Sequence, residues 1–168
     1  MKAFSSGVVG LLAVCATAQD GAGLAAGPRE ELRVLRRETH TSARGPADRF
    51  SGDVTISALF QAGEPGRVGG ALVSFKPGAR TAWHVHPLGQ TLIVTKGTGW
   101  VQAEGASRQE IREGDIVQIP AGIRHWHGAS ANAEMTHLAI TESLNGSPVT
   151  WLDHVSDADY LQAPAPNQ

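Results

Sequence analysis

Cysteine is almost absent: the 168-residue chain has one, Cys15. A lone thiol closes no internal disulfide. Because Cys15 lies in an apolar N-terminal stretch that reads as a removable segment, the mature protein is expected to carry no thiol. That excludes a cysteine nucleophile and a thiolate metal site, so any bound metal must be held through nitrogen and oxygen. A basic surplus is missing too, since fourteen Lys and Arg stand against sixteen Asp and Glu for a net charge of −2. Without a broad cationic surface to neutralise phosphates, nucleic acid is set aside as a partner. No apolar run reaches the roughly 20 residues of a membrane-spanning helix. Charged residues are only 18% and hydrophobic ones 41%, which suits a packed core and not a disordered chain. No repeat of domain size is present, and the length fits one domain.

The N-terminus has the order of a secretory signal: Lys2, an apolar stretch over 7–18, then Ala16-Thr17-Ala18. Residues 1–18 are therefore expected to be a signal peptide and the protein to be exported, periplasmic or secreted. Val14, before Cys15, is bulkier than a lipoprotein cleavage site accepts. Loss of Lys2 leaves thirteen basic and sixteen acidic groups, a mature charge of −3. Residues 19–47, with Gly21, Gly23, Gly27 and Pro28, read as an N-terminal leader, and 163–168 as a flexible tail. The charged stretch 29–37 fits either a short helix or a strand and reads as a solvated face.

What is abundant is punctuation, with twenty Gly and nine Pro. From Phe50 onward short extended runs alternate with turns, at 54–60, 69–76, 82–85, 91–95, 100–104, 108–112, 116–119, 125–128, 135–141 and 149–152. That rhythm predicts an all-β domain, a sandwich or barrel, over 48–162. Pro120-Ala121-Gly122 fits a turn between two of these runs. Only the segment from Ser156 to Leu161 reads as a helix, capped by Ser156 with Asp157 and Asp159 in its first turn.

Seven His occur, and four form two pairs, His84-Val85-His86 and His125-Trp126-His127. On a strand, residues two apart share a face, so each pair projects two imidazoles one way while Val85 and Trp126 face the other. If both faces turn inward, four imidazoles converge, with the Gln90 amide one short turn from His86. Imidazole nitrogen with amide oxygen suits a first-row divalent metal better than calcium or magnesium. A hydrogen-bonded histidine cluster on a barrel wall is the alternative.

These residues resemble the motifs of the cupin superfamily. Gly78, His84, His86, Gln90 and Gly97 stand where the first cupin motif has Gly, His-x-His, an acid and Gly. Gly114, Pro120, Gly122 and His125 match the Gly, Pro-x-Gly and His of the second. The resemblance implies a small antiparallel, jelly-roll-like β-barrel with a metal held by His84, His86, Gln90 and His125. Gln90 departs from the usual Glu, and Ala129 stands where the second motif often ends in Asn. Three neutral imidazoles and a neutral amide leave the ion's double charge uncompensated, which makes it a stronger Lewis acid than a carboxylate-bound one.

A narrower resemblance is carried by the run from Gly78 to Val94, by Gly45-Pro46-Ala47-Asp48 upstream, and by His125-Trp126-His127-Gly128-Ala129 and Met135-Thr136-His137-Leu138-Ala139-Ile140 downstream. It is similar to the bacterial manganese-dependent cupin hydroxynitrile lyases. The resemblance implies reversible cleavage of an (R)-type aromatic cyanohydrin, such as mandelonitrile, to an aldehyde and hydrogen cyanide. Manganese is the implied ion, with iron, nickel and zinc as alternatives. His127, on the face of His125 but outside the ligand set, is expected to be the base or else to hydrogen-bond a ligand. His137 is expected to stabilise departing cyanide or to be a satisfied core histidine. Ala71, Val73 and Thr141 are expected to wall the substrate pocket, Thr141 replacing a Gln in the lyases; plain barrel packing is the alternative for Ala71 and Val73. Trp83, Trp100, Trp126 and Trp151 read as core, and His40 and His154 as surface or structural. A cupin dioxygenase and an exported, non-catalytic metal- or small-molecule-binding cupin are the competing functions. A small-molecule substrate and a homo-oligomer, dimer or tetramer, are the expected partners.

Overall fold

Closely spaced turns cut the chain into short strands, each able to bury one face, and such strands are satisfied by pairing antiparallel and curling around a shared core. The computed structural model describes residues 32–162; the expected signal, the leader up to residue 31 and the tail 163–168 lie outside them. The compact unit described here begins at Val34. In chain order its elements are a 3-10 turn at Arg37–Thr39, β1 (Ser42–Arg44), β2 (Phe50–Ser51), β3 (Val54–Gln61), β4 (Val68–Phe75), β5 (Arg80–Thr81), β6 (His84–Val85), β7 (Gln90–Ala103), β8 (Gln109–Arg112), β9 (Ile116–Ile119), β10 (His125–Ala129), β11 (Met135–Glu142), β12 (Thr150–Trp151) and α1 (Asp157–Leu161).

The ladders are antiparallel. One sheet runs β1-β3-β4-β11-β7-β9 and the other β2-β5-β10-β7-β8, with β6 joining β10 to β12. The all-β expectation holds, and the fold is a single antiparallel β-barrel with a short C-terminal helix. Among the described residues no helix is long and apolar enough to cross a membrane.

Strand β7 belongs to both sheets. Its first half pairs with β11 and β9, its second with β10 and β8. The predicted runs 91–95 and 100–104 are therefore one strand. Gly97, at φ +77°, lies at the changeover, beside a register shift between Thr136 and His137 of β11. A Cβ there would overlap the Glu134 carbonyl oxygen, so only glycine lets the strand pass. Conversely, the predicted run 82–85 is split. The Ala82 and Trp83 amides leave the ladder and donate to Arg49 O at 2.7 Å and Asp153 O at 2.9 Å, so β5 ends before β6 begins. No extended run is predicted over β1, which falls within 19–47 yet pairs residue by residue with β3.

Two apolar clusters stabilise the barrel. The inner one gathers Phe50, Val54, Val73, Phe75, Val94, Val101, Ile111 and Met135 between the sheets. The outer one joins Trp83, Trp126, Val155 and Tyr160, with Trp100 against it. Period-two alternation on β10 explains the division, since Trp126 must face away from His125 and His127. The helical cap covers that outward side. Ser156 Oγ accepts from the Asp159 amide at 3.0 Å, Tyr160 donates to Ala129 O at 2.9 Å, and buried Arg80 donates to Val155 O at 2.9 Å and Asp157 at 2.6 Å. Both faces of β10 are thus closed, which holds its two histidines still.

Candidate metal centre

His84 of β6 and His125 of β10 are register partners, so their rings meet at 4.2 Å between centroids. His86 lies just beyond β6, its ring 5.1 Å from His84 and 5.6 Å from His125. Each ring is pinned by a backbone carbonyl: His84 Nδ1 by Ala82 O at 2.9 Å, His86 Nδ1 by Pro148 O at 2.7 Å and His125 Nδ1 by Ile123 O at 2.9 Å. A carbonyl oxygen only accepts, so Nδ1 carries the proton and Nε2 of each neutral ring is left as a bare lone pair. His86 Nε2 is buried with no partner. His125 Nε2 faces Gln90 Oε1 at 3.2 Å, which sets two acceptors against each other. Lone pairs gathered this way repel one another unless a cation sits among them, so the residues fit a divalent first-row ion.

Burial keeps these ligands neutral. Desolvation pushes His84 well below the usual imidazole range, with the His125 charge acting the same way. His125 falls to about 4, chiefly by burial, and His86 is lowered for the same reason. Deprotonated rings are the form that binds metal, so no proton has to be expelled near neutral pH.

A second histidine pair adjoins the first. His127 shares the inward face of β10 with His125, and His137 reaches it from β11, with His137 Nε2 and His127 Nδ1 3.1 Å apart. His127 Nε2 and His137 Nδ1 are buried without partners. Burial drives His127 well below its ordinary value, reinforced by the charge of His137, and lowers His137 to about 4. Nitrogens of His84, His125 and His127 all lie within 4.8 Å of one another, so these three could hold a metal ion. That trio differs from the expected set by including His127 in place of His86. His86 lies just past the end of β6, its Nδ1 held by the Pro148 carbonyl and its Nε2 buried without a partner, so it adjoins the trio rather than leaving the site.

Above these rings opens a cavity of about 490 Å³, within the usual range for small-molecule sites. Its floor is His84, His86, Gln90, His127 and His137. Ala71, Val73 and Thr141 all line it, together with Ala139. His125 is not on its wall; it stands behind Gln90 and His84. One expectation is corrected. Trp151 is not only core: pairing of β12 with β6 sets it opposite His84, and it walls the cavity. Trp83, Trp100 and Trp126 do belong to the outer cluster. His40 and His154 lie outside the site, His154 Nδ1 3.2 Å from Ser51 Oγ.

Comparison with known proteins agrees with this architecture. A family model described as a cupin domain matches residues 71–141. An (R)-mandelonitrile lyase from Granulicella tundricola is 54% identical over 129 residues, covering 77% of this chain and 98% of that protein. The chain belongs to the cupin family. A cupin-like protein from Thermotoga maritima superposes with a TM-score of 0.68 at 37% identity, over 74% of this cupin and 95% of that chain. The polyketide cyclase RemF from Streptomyces resistomycificus shares the fold at 17% identity, with a TM-score of 0.59 over 77% of this chain and 91% of its own.

Proposed function

We propose that this cupin is a metal-dependent lyase that reversibly cleaves an (R)-cyanohydrin of the mandelonitrile kind into an aldehyde and hydrogen cyanide. One observation carries the reading: a buried histidine group that could hold a metal ion, built on His84 and His125 with His86 adjoining, includes one ring, His127, whose unpartnered Nε2 lines an apolar cavity. The likeness to a protein named (R)-mandelonitrile lyase supports it.

His84, His86, Gln90 and His125 would hold the ion, which leaves His127, the third histidine of the group that could hold a metal, off the ion as the base; manganese is the first choice and iron, nickel or zinc the alternatives. When bound there, uncompensated by any carboxylate, the ion supplies Lewis acidity toward a hydroxyl oxygen. The chain does the rest. His127 Nε2 takes the hydroxyl proton as the bond between the carbinol carbon and the nitrile carbon breaks. The bonding pair leaves with cyanide, and the oxygen's electrons close the carbonyl. Through its contact with His127 Nδ1, His137 holds the base in position and shares its transient charge. Because burial disfavours the imidazolium, His127 gives the proton up readily to cyanide and returns to its neutral state. Ala71, Val73, Ala139 and Thr141 leave space for the carbon skeleton. Export and assembly into a homo-oligomer complete the proposal.

The test is a single sample: purified protein assayed for metal, reloaded with manganese, and mixed with racemic mandelonitrile while cyanide, benzaldehyde and oxygen are followed. Equal amounts of cyanide and benzaldehyde formed from the (R) form support the lyase. Oxygen uptake without cyanide points to a dioxygenase instead. Ligand-induced thermal stabilisation without any product points to a binding module.

A further inference from the structure

The two walls of the cavity differ in kind. On the side of β4 and β11 the lining positions above His137 are small to medium, Gly69, Ala71, Val73, Ala139 and Thr141, with Ala71 and Ala139 in direct register. On the side of β2 and β12 stand two aromatic rings, Phe50 and Trp151, 5.5 Å apart and tilted by 56°. Trp151 also lies 4.8 Å from His84, at 35°, so the aromatic wall adjoins the metal-ready imidazoles. Arg49 sits 5.9 Å from the Trp151 ring and packs it from the half-exposed side. An aromatic wall on one sheet, with mostly small side chains on the other, favours flat conjugated groups, which stack on the rings with more contact than branched ones.

We propose that Trp151 is the specificity-determining residue of the site. Together with Phe50, it receives the flat aryl substituent of the substrate, with the small side chains of Ala71 and Ala139 lining the same cavity from the other sheet. The inference rests on the lyase reading for the identity of the reacting group but not for the shape of the cavity. Ring-to-ring contact adds to simple burial, so loss of the Trp151 ring should weaken an aryl ligand by roughly 3- to 10-fold. A branched alkyl ligand has no such contact to lose.

Benzyl alcohol and 2-methylpropan-1-ol carry the required hydroxyl but no nitrile, so they bind without turnover. Their dissociation constants, measured by saturation-transfer NMR on protein loaded with diamagnetic zinc, form the readout, with metal content recorded for each variant. Trp151→Leu should weaken benzyl alcohol roughly 3- to 10-fold and leave 2-methylpropan-1-ol nearly unchanged, while Trp151→Phe restores most of the difference. Ala139→Val, which narrows the cavity from the other sheet without touching a metal-binding histidine, should likewise act more on the aryl alcohol. Equal weakening of both alcohols in all three variants, or an unchanged ratio, overturns the proposal. Should the wild-type protein release no cyanide while the variants still discriminate the alcohols, the lyase reading falls and the aryl wall stands.

Discussion

Acid should unfold the metal-free protein by a proton-uptake route set by its buried histidines. His125 and His137 each have a folded value of about 4 against an ordinary 6.5, burial being the main cause. A base whose folded value is lowered is neutral when folded and takes up its proton only on unfolding. The unfolded state then binds more protons between the two values, so stability is fully present above about pH 6.5 and drains away as pH falls toward 4. At about pH 5 each ring should have lost about 2 kcal/mol, so the pair together removes about 4 kcal/mol. His84 and His127, also lowered mainly by burial, act in the same direction. Since small domains are stable by only about 5–15 kcal/mol, this is enough to bring the protein close to its unfolding transition. The assay is urea unfolding of chelator-treated protein, followed by tryptophan fluorescence at about pH 7.5, 6 and 5. Stability should fall with a slope of about 2.7 kcal/mol per pH unit in the middle of that window. A free energy that changes by less than about 1 kcal/mol between about pH 7.5 and 5 would refute the claim that these rings are buried and neutral.

His127→Ala, with manganese content unchanged, should lower cyanide release by roughly 10²–10⁴-fold, the usual worth of a positioned base; unaltered turnover removes His127 from the chemistry. Gln90→Glu adds an anion beside the ion, so chelator competition should show tighter metal retention while cyanide release slows. Faster release with weaker retention would contradict the Lewis-acid argument. Trp126→Ala empties a site with 0% exposure under the helical cap and should cost about 3–5 kcal/mol in urea unfolding. Because its ring faces away from the histidines, the surviving folded protein should still bind metal in the wild-type ratio.

Local order in the chain carries a good part of this molecule. Two residues apart on β10 must mean the same face, so His125 and His127 turn inward together and Trp126 outward, whatever the rest of the protein does. Ser156 followed by two acids sets the start of α1 just as directly. The small residues Ala71 and Val73 could be assigned to a wall by the same alternation. Strand β1 left no such trace, because all three of its residues are exposed and an edge strand needs no apolar pattern. Nor did the continuity of β7, since a glycine that passes a strand between sheets looks in sequence like one that ends it.

Long-range pairing decided the remainder. Trp151 is apolar enough for any core, and only the register of β12 against β6 lays it beside His84. His86 belongs to the same short motif as His84, yet its ring is oriented by the carbonyl of Pro148, 62 residues later. His127 and His137 become a pair only because β10 and β11 bring them together inside the barrel. Side-chain direction along a strand is a local consequence of backbone pleating and can be read from residue order. Which side chains meet, and which nitrogen is left without a partner, depends on contacts between segments far apart in the chain, and those exist only once the barrel has closed.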